Sequence, residues 1–238
     1  MLQQARIGFL SCDTGDLMDD KRQWLETYIQ EQIEALKSIN LDVIETIIDS
    51  LKVALKDDRK IFIVGNGGSA SNSSHFAVDL GKGSSDVMSK FIDRAYEVGE
   101  FKGNKRFQVI SLNDNVAWMT AIGNDYSYDD IFWRQLENYA SEGDILIGVS
   151  VSGKSPNVVK AFEYAKKIGM KTFAMTNWSG GDIASLADRA MKVSSPHYGR
   201  VEDAQMTALH MLCYYFMENY DFERKPSYER VKSINTGD

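Results

Sequence analysis

The stretch that decides the fold is Lys60-Ile61-Phe62-Ile63-Val64-Gly65-Asn66-Gly67-Gly68-Ser69. Five residues that are mostly β-branched or aromatic run straight into a turn rich in glycine. Such a run reads as a buried parallel strand followed by its loop. The chain behind it, from Ser71 to Leu80, reads as a helix. Glycines between a strand and a helix let the backbone approach an anion closely, and a helix N-terminus aims free N–H groups at it. A purely structural turn is the alternative. Two nucleotide motifs are disfavoured, because Ala70 stands where the last glycine of G-x-G-x-x-G belongs and the lysine of a P-loop is missing.

Working outward, the same alternation recurs. Phe107 to Leu112, Asp144 to Val149, Thr172 to Thr176 and Ala190 to Val193 read as four further strands. Helices are expected over Asn115 to Ile122, Asp129 to Ala140, Asn157 to Ile168, Ile183 to Ala187 and Val201 to Asn219. Strand–helix alternation implies right-handed crossovers, hence an α/β fold on a mostly parallel sheet, with ligands at the carboxyl ends of the strands. Ahead of the sheet, Trp24, Ile29, Ile33 and Leu36 and then Leu41, Ile44, Ile47, Ile48 and Leu51 recur at helical steps, with a break into two helices or a kink at Asn40. This N-terminal helical extension suits either an oligomer interface or packing on its own domain. Residues 1–20 read as an arm, 21–222 as one domain and 223–238 as a polar tail. Residues 84–105 read as an inserted loop with a short helix at Val87 to Val98.

A net charge of -7 and a pI near 5.1 argue against nucleic acid as a partner. An anionic ligand would therefore need a local site of N–H groups and hydroxyls. No stretch approaches a membrane span, and no signal peptide is evident. The two cysteines, Cys12 and Cys213, are far apart and suit free thiols in a reducing cytoplasm.

A second turn, Ser150-Val151-Ser152-Gly153-Lys154-Ser155, also joins a strand to a helix. One serine suffices for a helix cap, whereas three in six residues favour wrapping a phosphate. His75 and Asp79 share a face of one helix, and Glu202 and His210 lie near one face of another. Two such pairs could converge on a divalent metal such as zinc, or simply be solvated polar residues.

Taken in order, four motifs resemble the SIS (sugar isomerase) family. They are Gly65 to Ser69, His75-Phe76-Ala77, Gly123-Asn124-Asp125-Tyr126, and Ser150 to Val158. The similarity runs from about Ile33 to Met217, and is strongest to the branch acting on seven-carbon sugar phosphates. The resemblance implies a three-layer α/β/α sandwich with a five-stranded parallel sheet, assembled as a homotetramer. It implies aldose–ketose isomerisation of sedoheptulose 7-phosphate to D-glycero-D-manno-heptose 7-phosphate, a step in heptose synthesis. Alternatives are a non-catalytic sugar-phosphate sensor or an isomerase of another sugar phosphate.

Carried onto this chain, the resemblance makes Asn66, Gly67, Gly68 and Ser69 substrate contacts, and Ser150, Ser152 and Ser155 the phosphate holders. Asp114 and Asn115 would bind sugar hydroxyls. His75, Asp79, Glu202 and His210 would hold one zinc per subunit. The base would be Asp79 or Glu202 and the acid His210. Two of these positions depart from the family. Asp79 stands for a glutamate, which shortens the reach by roughly 1.5 Å, and Glu202 stands for a glutamine. The loop Pro196-His197-Tyr198-Gly199 is a few residues shorter than expected and the 84–105 segment longer.

Overall fold

The computed structural model describes residues 21–88 and 106–219. The expected arm at 1–20, the tail at 223–238, Cys12 and most of the 84–105 insertion lie outside the described residues; residues 85–88 are helical.

Five strands form one parallel sheet among the described residues: β1 (Lys60–Gly65), β2 (Gln108–Ser111), β3 (Ile145–Val149), β4 (Lys171–Asn177) and β5 (Arg189–Val193), in the order β2-β1-β3-β4-β5. The helices are α1 (Lys21–Lys37), α2 (Leu41–Lys56), α3 (Gly68–Val78), α4 (Val116–Asp125), α5 (Trp133–Tyr139), α6 (Pro156–Lys167), α7 (Gly181–Leu186) and α8 (Tyr198–Asn219). This is the α/β/α sandwich the resemblance implies.

The strand period of two builds the layers. Ile61 and Ile63 face a core shared with α2 and α8, through residues such as Ile47, Leu51, Leu209 and Leu212. Phe62 and Val64 face the opposite core, with Phe132, Leu136, Val158 and Phe162 from α5 and α6. Because both faces are covered, β1 and β3 read as continuous apolar runs rather than alternating ones.

Asn40 breaks the N-terminal helical stretch, as its sequence suggests. Its side-chain oxygen accepts from the N–H groups of Asp42 (2.9 Å) and Val43 (3.4 Å), which caps α2. α2 buries a full stripe, whereas α1 buries only Ala35 and leaves Trp24, Leu25 and Ile29 exposed.

Two helices differ from their expected form. The helix expected over Asp129 to Ala140 is a 3₁₀ turn at Tyr128–Asp130 followed by α5. Ser127 Oγ caps the turn through Asp129 N–H, and the Trp133 indole donates to Asp130 Oδ1 at 2.7 Å, which fixes the break. The helix expected over Ser71 to Leu80 begins earlier, at Gly68, and widens at Asp79 into one π-helical stretch, Asp79–Ser84. The single Ser84 O–H is shared between Asp79 O at 3.2 Å and Cys213 O at 3.0 Å, tying that wide turn to α8. Such turns are rare and concentrate at functional sites.

Candidate active site

β1 is an interior strand of the sheet. The chain leaves it for β2 on one side, while β3 flanks it on the other. The carboxyl ends of β1 and β3 therefore bound the crevice where the strand order reverses, the usual ligand position in an open α/β sheet. Gly65 is paired in register with Val149, so the glycine turn and the serine turn leave the sheet side by side.

Gly67 has φ +57° and ψ -123°, a conformation only glycine adopts freely, and it turns the chain into α3. Gly68 follows. A Cβ there would lie 2.6 Å from Glu202 Oε2, so the missing side chain is what admits the Glu202 carboxylate to the start of α3. Asn72 Nδ2 holds the Glu202 carbonyl at 3.0 Å and locks α8 against α3. Burial, and secondarily the neighbouring Asp203, pushes the Glu202 carboxyl above its ordinary value.

The serine turn is shaped by contact with the loop after β4. Gly153 has φ +65°, and a Cβ on it would overlap the carbonyl of Gly180. Ser150 Oγ accepts from Gly153 N–H at 3.2 Å and Ser152 Oγ from Lys154 N–H at 3.2 Å, which curls the turn. Ser155 occupies the cap position of α6 but makes no side-chain cap hydrogen bond, and Pro156 takes the first helical position. The Ser155 hydroxyl thus remains available to a ligand.

Of the other expected substrate contacts, Asn115 caps α4 through Trp118 N–H at 3.2 Å. Asp114 accepts from the hydroxyls of Ser74 and Ser111. Ser69 is buried, and its carbonyl accepts from Ser73 Oγ at 2.8 Å. Three further residues build the site and were not singled out from sequence as site residues. Asn113 brackets Gly65, with Nδ2 to Gly65 O at 2.7 Å and Oδ1 to Gly65 N–H at 3.2 Å. Asn157 and Tyr128 both bond the Asn66 side chain. The polar run Asn113-Asp114-Asn115 and the place of Asn157 directly after Ser155-Pro156 are the signals that could have found two of them.

The four-residue metal set resolves differently. Asp79 Oδ2 stands 3.3 Å from His75 Nε2 and 3.6 Å from His210 Nε2, and donor atoms of all three lie within 4.8 Å of one another. Glu202 is not in this group. It lies eight residues before His210 on α8, about 12 Å along the axis. α3 runs beside α8 with Gly68 next to Glu202 and His75 next to His210, so the two ends are held apart. One carboxylate between two imidazoles fits a divalent cation of borderline softness.

A SIS domain profile matches residues 80–177. A probable phosphoheptose isomerase of Thermoplasma volcanium is 40% identical over 190 residues, covering 79% of this chain and 88% of that protein. The chain belongs to the phosphoheptose isomerase family. A second member, the phosphoheptose isomerase of Helicobacter pylori, is 38% identical over 194 residues, covering 81% of this chain and 88% of that one. The solved phosphoheptose isomerase of Neisseria gonorrhoeae superposes with a TM-score of 0.70 at 26% identity, covering 82% of this chain and 97% of that structure. Family membership makes the protein an aldose–ketose isomerase.

Proposed function

We propose that the protein interconverts sedoheptulose 7-phosphate and D-glycero-D-manno-heptose 7-phosphate through a cis-enediol. The observation that carries this reading is the Glu202 carboxylate seated on Gly68, at the glycine turn that runs beside the serine turn. Ser150, Ser152 and Ser155 hold the phosphate as neutral donors at the start of α6. The sugar chain then lies across the crevice toward Asn66 to Ser69, with Asp114 and Asn115 at its hydroxyls.

Glu202 removes the proton from C1 of the ketose. The C–H electron pair forms the C1–C2 double bond, and the carbonyl oxygen takes up the displaced pair and a proton. Return of the carbon-bound proton to C2 and loss of the O1 proton give the aldose. A carboxyl whose affinity for protons is raised is better matched to this transfer near neutral pH than an ordinary glutamate.

His75, Asp79 and His210 are the residues that would hold a divalent cation, which we assign as zinc. When bound, it supplies Lewis acidity toward a carbonyl or enediolate oxygen. His210 is otherwise the donor of the oxygen-bound proton. An imidazole cannot ligate and donate through one nitrogen, so a chelator separates its two roles.

We also read the protein as a cytoplasmic homotetramer. The exposed apolar side chains of α1 support the assembly, and the free, buried thiol of Cys213 suits the compartment. No helix among the described residues is long and apolar enough to cross a membrane.

The test is an NMR assay of ketose–aldose exchange over a panel of five-, six- and seven-carbon sugar phosphates, with and without chelator. Exchange of the seven-carbon pair is expected. Loss of activity in Glu202→Gln with cation binding intact assigns the base to α8, whereas loss in Asp79→Ala together with cation binding marks Asp79 as a ligand. Retained activity in the double variant would overturn both base assignments.

A further inference from the structure

Asn66 follows the last residue of β1 and heads the glycine turn. Its side-chain amide is held by an ordered chain of hydrogen bonds that starts in the backbone. The N–H of Val158, which also reaches Ser155 O at 3.0 Å, donates to Asn157 Oδ1 at 2.9 Å. A backbone N–H can only donate, so the Asn157 atom facing it is the oxygen, and its amide group points the other way. Asn157 is 1% exposed, and its amide has no solvent to turn toward.

Asn157 and Asn66 then form a reciprocal amide pair. Asn66 Nδ2 donates to Asn157 Oδ1 at 2.9 Å, and Asn157 Nδ2 donates to Asn66 Oδ1 at 3.0 Å. With Asn157 fixed, the orientation of Asn66 is fixed too. Tyr128 O–H donates to the same Asn66 Oδ1 at 3.1 Å. Both acceptor positions of Asn66 Oδ1 are therefore filled, and one Nδ2 proton is spent on Asn157. One Nδ2 proton is left, with no partner among the described residues. The amide can act toward a ligand only as a hydrogen-bond donor.

We infer that Asn157 and Tyr128 are positioning residues that lock Asn66 as a dedicated donor to the substrate oxygen that turns negative in the enediolate. The inference rests on the isomerase reading. An asparagine free to rotate could present either end to a sugar. A locked one presents only N–H, with its direction set before the substrate arrives, and preorganised donors aimed at developing charge act mainly on the transition state. The turn that carries Asn66 is the same turn on which Glu202 is seated, so proton removal and oxyanion support are built on one segment.

The lock predicts a rate effect with little change in binding. Tyr128 is 60% exposed, so Tyr128→Phe removes one hydroxyl without opening the core. Its kcat should fall about 3- to 10-fold, with KM within about twofold of the wild type. Asn157→Asp replaces a donor and an acceptor by two acceptors, so the reciprocal pair cannot form. Its kcat should fall by about 10²-fold, as for loss of an oxyanion donor. Sugar-alcohol 7-phosphate, which has no carbonyl, should bind both variants as it binds the wild type. An independent arm reads the Asn66 side-chain amide by ¹⁵N NMR in the free protein. One proton should be protected from exchange and the other not, with protection reduced in Asn157→Asp. Wild-type kcat in both variants, or two equally exchanging amide protons in the wild type, would overturn the lock. Absence of isomerisation by the wild type would remove the isomerase reading instead, and the NMR arm would still decide the lock.

Discussion

Gly68 has no side chain, and Glu202 uses the space. Gly68→Ala would place a methyl group against the Glu202 carboxylate, the far end of a flexible side chain that can swing away. Alanine is the better helix former, so the fold should be kept or slightly stabilised. The displaced base should cost at least about tenfold in kcat/KM, since catalysis is sensitive to small misplacements. Parallel thermal melts and kinetics check both halves, and an active Gly68→Ala would remove Glu202 from the base role. The raised proton affinity of Glu202 has two further consequences. The acid limb of the kcat/KM profile should lie above the usual carboxylate range, because activity rises as Glu202 ionises. The stability effect has the opposite sign. A carboxyl with a raised folded-state pKa loses stability as pH climbs from its unfolded value through its folded one. Glu202→Gln should therefore melt at or above the wild-type temperature at neutral pH while losing most activity, with the gap closing in acid. A melting temperature below that of the wild type at neutral pH would contradict the direction assigned to Glu202.

At the scale of elements, the His75, Asp79 and His210 group exists because α3 and α8 run side by side and α3 widens at Asp79. The π-helical stretch begins at Asp79, the carboxylate of this group, and Ser84 pins it to α8 through Cys213 O. Zinc titrated into metal-free protein should bind with one ion per chain and raise the melting temperature. His210→Ala should abolish that shift, while Glu202→Gln should leave it in place, because Glu202 stands outside the group. Equal loss in both variants, read by calorimetry, would restore Glu202 to the ligand set. The serine turn is likewise a property of two elements. Ser150 to Ser155 curl as they do because Gly153 and Gly180 meet without side chains between them.

Over the whole molecule, α1 is the long helix that gives little to its own core, burying only Ala35 of its 17 residues. Trp24, Leu25 and Ile29 are each more than half exposed, although their spacing is that of a helix face. A face of this kind suits burial against further copies of the chain. Trp24→Ser combined with Ile29→Ser should reduce the mass seen by light scattering relative to the wild type and leave far-UV circular dichroism unchanged. An unchanged mass would move the interface elsewhere. Much of this architecture was legible beforehand. The apolar runs at Ile61 to Val64 and Ile145 to Val149 disclosed buried parallel strands, since both faces of the sheet are covered. Asn40 disclosed a break between two helices, and the two glycine- and serine-rich turns disclosed their place at strand ends. These are local consequences of side-chain shape, polarity and hydrogen-bonding capacity, and residues close in sequence suffice to reveal them. The tertiary structure alone decided the order β2-β1-β3-β4-β5, which sets the two turns beside each other. It alone set His75 and Asp79 beside His210 rather than Glu202, because the parallel course of α3 and α8 depends on packing between segments more than 100 residues apart. It alone joined Val158 N–H to Asn66 through Asn157, because hydrogen-bond direction is fixed only when donors and acceptors from distant segments are brought face to face.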